Sequence, residues 1–321
     1  MFYSIRHDTR FHYGKPISES VMEARMQPRS EGFQRCLSFE LTISPHARVW
    51  SCRDYSENTV HYFTLPGTHS ALTVTARGMV EMRECPVLPE TLTPAAWDEL
   101  DRAVAAGDFW EMLMSSRFVV PTASLRAFAR ELKLRRRDDP LGLLRQLNTA
   151  VYNAFDYVPK STKVDSPIDD ALQKRKGVCQ DFAHIMIALV RQVKIPCRYV
   201  SGHLFHRDGY HDRSSDGATH AWVEAFLPPL GWVGFDPTNN LVAGDRHIRV
   251  AIGRDYADVP PTRGVFKGES VAESQLAVAV KVAPTDAPLP DVPEDDLKVF
   301  ATEPIRPEPP AETNIQQQQQ Q

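Results

Sequence analysis

Gly177-Val-Cys-Gln-Asp-Phe-Ala-His184, Thr219-His-Ala-Trp-Val-Glu224 and Gly234-Phe-Asp-Pro-Thr-Asn239 follow one another along the chain and supply, in turn, a thiol, an imidazole and a carboxylate. Downstream of Cys179 the apolar residues Phe182, Ile185, Met186, Leu189, Val190 and Val193 recur at helical spacing, which predicts a helix that opens at Cys179 and buries one stripe. Unpaired backbone N–H groups and the positive end of the dipole favour thiolate over thiol at a helix start. Gly177 allows a sharp entry into that helix. A lone cysteine on an apolar helix face is ordinarily core, and its position at the helix start is what sets Cys179 apart.

The imidazole and carboxylate meet through an expected hairpin. Thr219–Leu227 and Gly231–Asp236 alternate as strands, with His220, Trp222 and Glu224 on one face of the first and Trp232, Gly234 and Asp236 on one face of the second. Folding about Pro228 sets His220 opposite Asp236. A register shift of two leaves them diagonal on the same face. In either register Asp236 can hold one ring nitrogen of His220 and leave the other for Cys179, which is the arrangement of an activated thiol nucleophile.

These stretches, with Ile195-Pro-Cys-Arg-Tyr-Val-Ser-Gly-His-Leu204, resemble the bacterial transglutaminase-like family, a branch of the papain-like superfamily. Tyr3–Tyr13 and the chain to about Met82 resemble the β-rich N-terminal domain that precedes this core, and Gly253–Val265 resembles the segment that closes it. Asp54-Tyr-Ser-Glu-Asn58 stands where such domains often carry an Asp-aromatic-Gly-Asn turn. The resemblance implies Cys179 as nucleophile, His220 as general base and acid, and Asp236 as its orienting partner. It also implies that Tyr157 lies where relatives have an aromatic residue shortly before the nucleophile.

At 321 residues, 42% hydrophobic and 24% charged, the chain has the composition of a globular protein long enough for two packed units. It has no long apolar run of the kind a membrane span needs. A formal charge of −4 argues against nucleic-acid or anionic-membrane partners. The basic run Lys133–Arg137 is expected at a helix C-terminus. Charged residues near the N-terminus interrupt any signal-peptide core, and five irregularly spaced cysteines form no disulfide framework, so a cytoplasmic location is expected.

Residues 1–86 read as short strands and residues 87–283 as a helical lead-in, with helical spacing over Ser124–Lys133 and Leu141–Phe155, followed by the core, where strands return through Ile248–Ile252 and Ser274–Val282. This gives an α+β fold with a nucleophile helix on an antiparallel sheet. The Pro-, acid- and Gln-rich stretch 284–321 is expected to be disordered. The Cys179 N–H is the natural first oxyanion donor, and Tyr157, Gln180 and Trp222 are further candidates for the cleft. His203, His206, Asp208, His211 and Asp212 match no zinc pattern, no calcium loop is present, and no metal or other cofactor is expected. The leading expectation is hydrolysis of a peptide or small amide conjugate through a thioester. Transfer to an amine acceptor and a non-catalytic interaction protein on the same fold are the alternatives.

Overall fold

The computed structural model describes residues 1–207, 209–268, 274–287 and 314–316. Six strands come first: β1 (Phe2–Ile17), β2 (Glu19–Ala24), β3 (Gln34–Ser44), β4 (Val49–Arg53), β5 (Thr59–Leu65) and β6 (His69–Met82). Helices α1 (Ala95–Ala105), α2 (Trp110–Leu113), α3 (Ala123–Glu131) and α4 (Pro140–Ala154) follow, then β7 (Asp156–Tyr157), α5 (Ile168–Lys174), β8 (Lys176–Gly177) and α6 (Cys179–Gln192). The chain continues through β9 (Cys197–Leu204), β10 (His220–Leu227), β11 (Gly231–Asp236), β12 (Leu241–Val242) and β13 (His247–Gly253) to β14 (Thr262–Lys267), β15 (Ser274–Thr285) and β16 (Asn314–Gln316). Among the described residues no helix is long and apolar enough to cross a membrane.

Two compact units result, one formed by Met1–Met82 with Pro261–Gln318 and one essentially by Arg83–Pro260. In the first, the sheet β15-β1-β6-β3 and the sheet β16-β14-β2-β5-β4 share one core. Phe11 and Val74 from one sheet meet Met22 and Phe63 from the other in it. This corrects the expected boundaries. β14 and β15 belong with the N-terminal strands and not with the core, because β15 pairs antiparallel with β1 from Phe2↔Thr285 to Tyr13↔Ser274 and β14 pairs with β2. Pro284 and Thr285 lie in that ladder, and Asn314–Gln316 pairs with β14, so the expected disorder does not hold at these positions. Most of the remaining tail, 288–313 and 317–321, lies outside the described residues.

The second unit is built around α6. Every residue from Cys179 to Arg191 is buried, so the helix is enclosed on all sides and not only along the one expected stripe. The α6 side chains pack on Leu125 and Phe128 of α3, on Leu144, Leu147 and Val151 of α4, and on Ala221, Val223 and Ala225 from one face of β10. Arg191 at the helix end is also buried, and donates to the carbonyls of Met112, Met114, Cys197 and Arg254, which accounts for its charge in a core position. The sheet order is β12-β11-β10-β9-β13.

On the opposite face of β10, Glu224 is wholly buried between Arg198 of β9 and Arg249 of β13. Arg198 Nε donates to it at 2.8 Å, and Arg249 Nε also donates to it. Lys133–Arg137 follows α3, and Arg136 pairs with Asp101 at 2.7 Å and covers the Trp97 ring.

Candidate active site

Cys179 occupies the first turn of α6, where its backbone N–H has no partner earlier in the helix. Asp181, in the same turn, closes the helix end. Its Oδ2 accepts from Val178 N at 2.8 Å and from Thr162 Oγ1 at 2.6 Å, so it also ties down the preceding loop. Burial pushes this carboxyl up to about 6, against the two hydrogen bonds that favour its charge. Gly177 serves this arrangement by its size: a Cβ there would stand 2.9 Å from the Asp181 carboxylate.

The hairpin supplies the other two groups. Leu227 pairs with Gly231 and Glu224 with Gly234, so the three-residue loop Pro228-Pro229-Leu230 centres on Pro229. Gly231 leaves it in the left-handed conformation, with φ of 75°. Relative to folding about Pro228, the register shifts by two, and His220 and Asp236 are diagonal neighbours on one face. His220 Nε2 donates to Asp236 Oδ2 at 2.8 Å, with both side chains buried.

His220 Nδ1 makes no hydrogen bond of ordinary geometry, and the Cys179 thiol is the neighbour that acts on it. Catalytic hydrogen bonds in ligand-free enzymes are often long or poorly aligned in the same way. Burial works against charge on the His220 ring, but the Asp236 charge and hydrogen bond, with the thiol, outweigh it and raise it to about 10. Asp236 is driven far below the usual carboxylate range despite burial, by His220 and by the other donors around it.

Those donors are numerous. Oδ1 accepts from Thr238 N at 3.0 Å and Asn239 N at 3.2 Å, and Oδ2 accepts from Asn239 Nδ2 at 2.8 Å and His247 Nε2 at 3.2 Å. Asn239 also receives Arg213 N and Ser214 N on its Oδ1, which links the loop before His220 to Asp236. His247, at the start of β13, was not visible as a site residue in the sequence. The strand was read from Ile248, and nothing in a strand histidine announces a partner on another strand. Extending the alternation of that strand back by one residue is the signal that finds it.

The three other cleft candidates part ways. Tyr157, half-buried on β7, sets its hydroxyl 3.5 Å from Ser215 Oγ, and Cys179 and Asp236 are both near enough to act on it. Gln180 does not face the cleft: it is buried, and its amide donates to Val164 O at 2.8 Å. Trp222 likewise lies beneath the site, wholly buried between the rings of His220 and His247. Gly202 makes room for it, since a Cβ there would reach its ring at 2.6 Å.

Among the loop residues, Asp212 is neutralised by Arg246 at 2.8 Å with His206 Nδ1 at 3.4 Å, and Asp208 lies outside the described residues. His220, Asp236 and His247 do place ligand atoms within 4.8 Å of one another. Both Nε2 atoms, however, already direct protons at Asp236. For His247 this tautomer is fixed by Gly244 N, which donates to Nδ1 at 3.3 Å, so the trio forms a hydrogen-bonded cluster.

Comparison with known proteins agrees with this architecture. Residues 3–81 match the bacterial transglutaminase-like N-terminal region and residues 126–237 the transglutaminase-like superfamily. An uncharacterized protein of Mycobacterium leprae is 31% identical over 275 residues, spanning 85% of this chain and 96% of that protein. One of Mycobacterium tuberculosis strain H37Rv is 33% identical over 293 residues, spanning 88% and 92%. The chain belongs to the bacterial transglutaminase-like family.

A crystal structure of a "putative cysteine protease" from Cytophaga hutchinsonii shares the fold, with a TM-score of 0.67 at 21% identity over 89% of this chain and 92% of that one. A protein-glutamine gamma-glutamyltransferase of Pseudomonas aeruginosa is 31% identical over 99 residues, 30% of this chain and 15% of that protein.

Proposed function

We propose that the chain is a cysteine hydrolase of amide bonds in peptides or amino-acid conjugates, with Cys179, His220 and Asp236 as its catalytic triad. The observation that carries this reading is the state of His220. One of its ring nitrogens is fixed on a buried carboxylate and the other is left to a thiol at the start of a buried helix.

Cys179 Sγ attacks the carbonyl carbon, and the developing oxyanion takes a hydrogen bond from the Cys179 N–H, a donor worth about 2.7–4 kcal/mol in comparable sites. The C–N bond breaks as His220 Nδ1 gives its proton to the departing amine, leaving a thioester and a neutral imidazole. His220 then takes a proton from water, whose oxygen attacks the thioester. The acid departs and the sulfur returns to thiolate beside imidazolium. Asp236 stays anionic throughout and holds the ring in one tautomer.

A second reading keeps the first half of this sequence and replaces water by a primary amine. The partial match to the Pseudomonas aeruginosa gamma-glutamyltransferase favours it. Mass spectrometry of a peptide library incubated with the enzyme, with and without a primary amine, separates the two. New carboxyl termini indicate hydrolysis, and amine adducts on Gln side chains indicate transfer. No Cys179-dependent product in either arm, judged against Cys179→Ala, overturns both.

A further inference from the structure

We propose that His247 is a positioning residue of this site: its neutral imidazole donates to Asp236 Oδ2, the same oxygen that holds His220, and so sets how tightly the carboxylate grips the catalytic ring. The proposal deepens the hydrolase reading and rests on it. Three geometric facts carry it.

His247 is buried, and both of its ring nitrogens are committed, Nδ1 to Gly244 N at 3.3 Å and Nε2 to Asp236 at 3.2 Å. A backbone N–H can only donate, so Nδ1 accepts and Nε2 carries the proton. The ring is also clamped edge-on against Trp222, at 5.2 Å and 75° between planes, so it cannot turn away from the carboxylate without disturbing a buried indole. Finally, Oδ2 serves His220, His247 and Asn239 together, and an acceptor oxygen that shares its lone pairs among three donors holds each less strongly.

The consequence is chemical. A carboxylate with His220 as its main donor would stabilise imidazolium strongly and make its proton hard to release, whereas the leaving amine needs that proton in the transition state. His247 takes part of the carboxylate's accepting capacity and leaves His220 a more effective acid. Burial keeps His247 below its ordinary value despite the neighbouring Asp236, so it adds no charge of its own near neutral pH.

The groups that bear on this cluster are Cys179 from α6, Tyr157 from β7, His206 from the loop after β9, and Arg246 next in sequence to His247. None of these occupies the Oδ2 position that His247 takes.

The test needs no substrate. In the full chain labelled with 15N-histidine, the His247 Nε2–H resonance is expected to shift at the same pH at which His220 loses its proton, because both bonds end on one oxygen. His247→Leu, similar in volume and without a donor, is expected to move the His220 midpoint upward by about half to one pH unit, and His247→Gln, which keeps a donor, to bring it back. Once a substrate is known, His247→Leu should lower kcat on an amide about three- to tenfold with KM unchanged.

A His247 resonance blind to His220 ionisation overturns the proposal. So does an equal midpoint in the Leu and Gln variants. If the Leu variant does not fold, the wild-type titration still decides. An absence of hydrolysis on every amide would instead count against the hydrolase reading and would leave the titration result standing.

Discussion

Asp236 collects five donors from four residues while wholly buried, and this concentration decides what a substitution there does. In Asp236→Asn the side-chain NH2 must face at least one N–H, so two donors oppose each other in a dry site. The expected outcome is a fall in kcat by orders of magnitude, from loss of the correct His220 tautomer, together with a stability loss of about 1–3 kcal/mol, read by denaturant titration. Turnover near the wild-type rate would remove Asp236 from its role.

Asp181 gives a second prediction at this scale. Its folded value of about 6 lies above the ordinary 3.8, so the folded state binds its proton more tightly. The resulting stability is present at low pH and is lost as pH rises from about 4 through about 6. Asp181→Asn keeps an oxygen to accept from Val178 and Thr162 but cannot ionise. Its melting temperature relative to wild type should therefore climb across that window and level off above it, by an amount equivalent to about 2–3 kcal/mol. A difference independent of pH would show that Asp181 keeps an ordinary acidity.

At the scale of elements, Glu224 links three strands of the second unit's sheet through Arg198 and Arg249. Truncating it leaves two guanidinium groups buried without their common partner, so Glu224→Ala should cost about 3–5 kcal/mol and broaden unfolding, while Glu224→Gln should cost less. A loss below 1 kcal/mol, on the scale of a surface pair, would mean that the arginines find other acceptors.

The helices were legible in the sequence because their stabilising pattern is local. α3 and α4 fall within two residues of their expected limits, and α6 begins at Cys179 as its apolar stripe requires. The residues of the hairpin were legible as well, but not its register, because a three-residue loop and a shorter one leave the same alternation on either side. β14 and β15 were invisible as members of the first unit. β15 is legible as a strand, but its partner β1 lies more than 260 residues earlier in the chain at every pair, and alternation states which face is buried without stating against what. His247 was missed for the same reason, since its meaning lies in a carboxylate eleven residues upstream on another strand.

For the whole molecule, the division at Met82 and Pro261 makes the first unit discontinuous and the second continuous. Every residue of the core around α6 lies between Trp97 and Val259. Every hydrogen-bond partner identified for His220, Asp236, Asp181 and His247 lies between Thr162 and His247. The second unit therefore contains its own core and the whole of the proposed triad. Expressed alone as Arg83–Pro260, it should fold cooperatively and retain selective alkylation of Cys179 over Cys85 and Cys197. Burial pushes the Cys197 thiol up to about 11.

The first unit should behave differently when cut. A chain ending at Pro260 keeps β1 and β2 but takes away β15 and β14, exposing the edge of one strand in each of its sheets. That truncated chain is expected to aggregate, while Arg83–Pro260 stays monodisperse in size-exclusion chromatography. If the order of solubility is reversed, the strands after Pro261 support the second unit's stability and the chemistry cannot be separated from the first.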